Sequence, residues 1–82
     1  MNRFDYEEPT QMTIFPNDGE ELFNYIRTLM SLFDSVSILR TNPRPQDGLL
    51  VDVFSSDPVV QYEGLLRLKH SGLRYSLTEL TN

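Results

Sequence analysis

Eighty-two residues, 39% of them hydrophobic and 23% charged, suffice for one folded domain and are too few for two. The chain has no cysteine, which excludes a disulfide framework, a thiolate metal site and a cysteine nucleophile and suits a reducing compartment. A net charge of -5 disfavours nucleic acid and anionic membranes as partners, and no apolar run approaches the roughly 18 residues of a membrane span, so a cytoplasmic protein is expected.

In chain order, residues 1–11 contain Pro9 and no periodicity and read as a tail, leaving 12–82 as a single domain. Met12 to Phe15 is a short β-rich run that ends at Pro16. Asn17-Asp18-Gly19-Glu20 then resembles a capping box, with Asn17 accepting from the third helical amide and Glu20 reaching back. Leu22, Ile26, Leu29 and Phe33 repeat at helical spacing, and Phe23 and Met30 widen that stripe, so a helix follows.

Val36 to Arg40 and Leu49 to Phe54 are β-rich runs around a turn-forming segment, Thr41 to Gly48, and predict an antiparallel hairpin with a long loop. In the second run Leu49, Val51 and Val53 share one face and Leu50, Asp52 and Phe54 the other. Residues 58–72 admit two readings, because Leu66 to Leu77 alternates well enough to form a hairpin turning at Ser71-Gly72. A helix is favoured by Asp57 as N-cap and Pro58 as first helical residue, with Val59, Tyr62, Leu65 and Leu66 on its packed side and a Schellman stop at Gly72 joining Leu68 to Leu73. Gly64 costs such a helix about 1 kcal/mol. Leu73 to Leu80 is the last predicted strand.

The order strand, helix, strand, strand, helix, strand predicts an α+β, ferredoxin-like βαββαβ fold: a four-stranded antiparallel sheet with two helices on one face. Such a domain buries a small core, and a partner surface adds to its stability, which makes a homodimer the expected state.

Few residues suggest chemistry. Asp18, Glu20 and Glu21 gather at a helix start, where capping and the helix dipole account for them without a metal. His70 beside Ser71 is a sequence neighbour at a helix end and lacks an orienting acid, so no catalytic set and no cofactor are expected. Asp52 within an apolar strand is expected on the open face of the sheet. The third strand lacks the basic and paired aromatic positions of an RNA-recognition motif.

The stretch Thr13-Ile14-Phe15-Pro16-Asn17-Asp18-Gly19-Glu20-Glu21-Leu22, followed by a helix and Ser35-Val36-Ser37-Ile38, resembles the opening of ACT or ACT-like regulatory domains. Leu68 to Tyr75 is similar to that family's helix end, glycine and final strand, although Asp18 stands where the commonest form has proline. The resemblance implies a regulatory domain that binds an amino acid or similar small effector at a dimer interface, with Asn17, Asp18 and Gly19 facing the ligand. The charge distribution supports a different reading. Seven acids against Arg3 and Arg27 precede Ser35, so an acidic inhibitor or adaptor would dock Asp18, Glu20, Glu21 and Asp34 on a basic protein surface.

Overall fold

The computed structural model describes residues 9–77. Strand β1 (Thr10–Ile14) leads to helix α1 (Gly19–Leu32), then β2 (Ser35–Arg40), a single 3-10 turn at Pro45–Asp47, β3 (Leu49–Phe54), helix α2 (Pro58–Lys69) and β4 (Tyr75–Leu77). The strands form one antiparallel sheet in the order β2-β3-β1-β4, which is the ferredoxin-like topology. Thr10 and Gln11 pair with Val53 and Asp52, so the sheet begins two residues inside the segment expected to be a tail. The rest of that segment up to Glu8, and positions 78–80 of the expected last strand, lie outside the described residues. Leu73 and Arg74 precede β4 rather than opening it.

The alternating pattern of β3 builds the core. Leu49, Val51 and Val53 are buried beside Met12 and Ile14 of β1, and Tyr25, Leu29, Phe33, Leu68 and Leu73 close over them. Leu50, Asp52 and Phe54 occupy the opposite, open face as expected, with Asp52 between Gln11 and Ser37 on the neighbouring strands.

Both helices are where the sequence places them, but their faces are rotated. Phe23 and Met30 are each 63% exposed, because the buried side of α1 is centred on Tyr25 and Leu29. In α2, Val59, Tyr62 and Leu66 are exposed and Leu65 half-buried, while Gln61, Gly64 and Leu68 point inward. Apolar residues lie on most sides of α2, so periodicity does not select the face. Two local features select it instead. Gly64 lets α2 approach the end of α1, where a Cβ would lie 2.7 Å from Phe33 Cε1 and 2.9 Å from the Leu32 carbonyl oxygen. Gln61 supplies the polar partners of a buried turn: its Oε1 accepts from Ser55 N at 2.6 Å and its Nε2 donates to Thr10 Oγ1 at 2.9 Å.

Helix α2 starts as predicted, with Asp57 accepting from Val59 N at 2.9 Å and Pro58 at the first position. Its end differs from a Schellman pair. The closing bonds run from His70 N to Arg67 O and from Ser71 N to Leu68 O, both i to i−3, and Gly72 then takes φ +82 to turn the chain. Leu68 and Leu73 are both buried on either side of that turn.

Candidate functional site

The β1–α1 turn is fastened to the start of β4 by one residue. Arg74 donates through Nε to the Phe15 carbonyl at 3.1 Å and through a terminal nitrogen to the same carbonyl and to Asn17 Oδ1 at 2.7 Å. Its main chain is engaged as well: Arg74 N donates to Tyr25 Oη at 3.2 Å, and Phe15 N donates to Arg74 O at 2.9 Å. The guanidinium lies 3.6 Å from Glu21 Oε1, a half-exposed pair whose solvent screening leaves positioning as its main effect.

The capping residues stand one position later than the sequence pattern suggested. Asp18 is the N-cap and accepts from Glu21 N at 2.8 Å, while Glu21 reaches back to accept from Asn17 N at 2.6 Å. Asn17 therefore precedes the cap, and its side-chain oxygen serves Arg74. The one-residue shift follows from Gly19, not Asp18, being the first helical residue.

Of the residues expected to face an effector, Asn17 and Asp18 hold the turn together, and Gly19 is exposed, with nothing beyond its chain neighbours and its own helix backbone within 4 Å of where a Cβ would stand. The acids expected to form a docking surface are not brought together. Asp18, Glu20 and Glu21 begin α1, whereas Asp34 follows its far end, about 20 Å away along a helix of 14 residues. Asp34 Oδ2 accepts from Ser56 N at 3.0 Å and ties the turn before β2 to the turn after β3.

Beside the fastened turn lies a shallow cleft of about 210 Å³ between α1 and the α2–β4 connection, lined by Glu21, Asn24, Tyr25, Thr28, Ser71 and Leu73 together with Gly72. Successive turns of α1 supply Glu21, Tyr25 and Thr28, and the Gly72 turn supplies the opposite wall. The lining is polar: one carboxylate, one side-chain amide and three hydroxyls. Thr28 Oγ1 donates to Asn24 O, Ser71 Oγ donates to Leu68 O, and Tyr25 Oη accepts from Arg74 N, so each hydroxyl is oriented by the fold. Ser71 also accepts from Leu73 N, which commits its hydroxyl to shaping the turn. Nothing local in the sequence signals that Tyr25 meets Arg74, 49 positions away, or that Ser71, expected only at a turn or helix end, faces α1 across a cleft.

Comparison with protein-family models, with curated proteins and with solved structures returned no match. Among the described residues no group of three or more acidic, histidine or cysteine side chains is arranged to hold a metal ion, and no helix is long and apolar enough to cross a membrane.

Proposed function

We propose that this chain is a non-catalytic regulatory module that binds a small polar effector in the cleft beside the β1–α1 turn and acts through dimerisation or a partner enzyme. The observation that carries this reading is the Arg74 clamp. It connects the start of β4 to Phe15, Asn17 and Glu21, so a ligand touching Glu21 or the Gly72 turn acts at once on both ends of that connection. A cleft of about 210 Å³ is below the usual range for drug-sized ligands and suits a molecule of amino-acid size. The Glu21 oxygen not engaged by Asn17 N and Arg74 offers a site for an ammonium group, and the Asn24 amide and the Tyr25 hydroxyl proton offer hydrogen bonds to a carboxylate or amide. In this reading Asn17, Asp18 and Gly19 shape the site and Glu21 contacts the ligand.

The alternative, an acidic adaptor docking through Asp18, Glu20, Glu21 and Asp34, draws less support from the geometry. Asp34 lies at the other end of α1 with its carboxylate on Ser56 N, so the four acids do not form one surface.

Thermal unfolding in the presence of a panel of amino acids and related metabolites tests the proposal. A ligand at 100 times its dissociation constant adds about 2.7 kcal/mol, which raises the melting temperature of a domain this small by more than about ten degrees. The expected result is a shift with one compound or a close series, reduced in Glu21→Gln. Equal melting temperatures across the panel contradict the effector site.

A further inference from the structure

Hydrogen bonds within the fold leave the cleft beside the β1–α1 turn with an uneven set of free groups. Thr28 Oγ1 donates its proton to Asn24 O, and Ser71 Oγ donates its proton to Leu68 O. Both hydroxyls therefore meet a ligand with lone pairs only, and Ser71 already uses one to accept from Leu73 N. Glu21 Oε1 accepts from Asn17 N and lies 3.6 Å from Arg74, which leaves Oε2 as the free carboxylate oxygen. Acceptors thus stand on both walls, Glu21 and Thr28 on α1 and Ser71 on the α2–β4 connection.

The side-chain donors are fewer, and none is charged. Tyr25 is 9% exposed and its Oη accepts from Arg74 N, but its own proton has no acceptor among the described residues. A buried hydroxyl proton ordinarily finds one. The Asn24 side-chain amide supplies the other donors of the lining. Glu21 is the only charged side chain there, because the Arg74 guanidinium is not part of the lining and is committed to Phe15 O and Asn17 Oδ1.

We propose that the cleft selects a small primary amine bearing a neutral carbonyl, of the α-amino amide type, over the free α-amino acid. This rests on the effector site proposed above and narrows its ligand class. The ammonium group donates to Glu21 Oε2 and to the lone pairs of Thr28 or Ser71, and the carbonyl oxygen accepts the Tyr25 proton. Glu21 and Tyr25 are four residues apart on one face of α1, so a single short ligand reaches both. A carboxylate in place of the amide brings a second negative charge close to Glu21, with no cation in the lining to offset it. The amide removes that repulsion, keeps the acceptor that Tyr25 lacks and adds N–H donors for the free lone pairs. Leu73 offers the one aliphatic side chain of the lining and suits a short apolar substituent.

Calorimetric titration of the whole chain with leucinamide, leucine and 4-methylpentanamide tests this at about pH 6.5, where the amino groups of the first two are protonated. Leucinamide is expected to bind at least about tenfold more tightly than leucine, and 4-methylpentanamide, which lacks the ammonium group, at least as weakly as leucine. Glu21→Gln keeps an acceptor for Asn17 N and removes the charge, so it weakens leucinamide about tenfold and reduces its advantage over leucine to less than about threefold. Leucine binding as tightly as leucinamide, 4-methylpentanamide binding as tightly as leucinamide, or an advantage unchanged in Glu21→Gln overturns the proposal. So does the absence of binding by leucinamide. The melting panel separates that failure from failure of the site. A panel compound whose shift depends on Glu21 leaves the cleft standing without this selectivity, whereas equal melting temperatures throughout remove both.

Discussion

Gly64 and Phe33 meet where the end of α1 crosses α2, closely enough that a Cβ on residue 64 would lie 2.7 Å from the Phe33 ring and 2.9 Å from the Leu32 carbonyl. Glycine inside a helix ordinarily costs about 1 kcal/mol relative to alanine. Here that cost is offset by the close approach of the helices, which lets the Phe33 ring complete the core under α2.

Gly64→Ala is therefore expected to destabilise the domain even though alanine favours the helix. The carbonyl oxygen belongs to the backbone and cannot swing aside, so an overpacking cost of about 1–3 kcal/mol exceeds the propensity gain. Urea unfolding measures it. A midpoint equal to or above that of the wild type contradicts the packing described.

Gln61 is 2% exposed in the middle of α2, and its amide joins the start of α2 to two strands. Gln61→Leu keeps the volume but leaves the buried Ser55 N–H without its acceptor, a loss of about 1–3 kcal/mol. Denaturant melts of Gln61→Leu and Gln61→Glu separate the two functions of the amide. Glu retains the acceptor for Ser55 N and loses the donor to Thr10. Gln61→Leu as stable as the wild type contradicts the network.

Arg74→Ala removes the side-chain donors to Phe15 O and Asn17 Oδ1 while leaving the main-chain bonds in place. The expected cost is about 1 kcal/mol, or a melting temperature lower by roughly 4–8 degrees. Faster amide exchange should be confined to the β1–α1 turn and the first turn of α1. Unchanged exchange at Asn17 and Asp18 contradicts the clamp.

Asp18→Ala removes the N-cap of α1 and is expected to cost about 1 kcal/mol, whereas Asn17→Ala, which leaves the cap untouched, costs less. Circular-dichroism melts of the two variants decide which residue caps the helix. Equal losses, or a larger one for Asn17→Ala, contradict the assignment.

The element order and the sheet follow from local signals: the alternation of Leu49 to Phe54, the Asp57-Pro58 helix start and the turn-rich segment before Leu49. Those signals act within a few residues and survive packing. The buried face of α2 was not legible, because it is set by Gly64 against Phe33 and Gln61 against Ser55 and Thr10, contacts made across 31, 6 and 51 positions of the sequence. For the same reason the cap lies one residue from its expected place: Asn17 and Asp18 are both good capping types, and the choice between them is made by Arg74, which occupies the Asn17 oxygen. Of the candidate site, the β1–α1 turn was visible in the sequence. The turn at Gly72 was visible too, but not that Ser71, Gly72 and Leu73 form the wall opposite Glu21, Tyr25 and Thr28.

The most direct test of the effector site is an amide chemical-shift map recorded while the chain is titrated with the amino acids of the panel. The proposed function predicts that at least one ligand moves the amides of Asn17 to Glu21, Asn24 and Gly72 as a group, with little change on the open face of the sheet around Asp52. Perturbations confined to Leu50, Asp52 and Phe54, or none with any ligand, would contradict it.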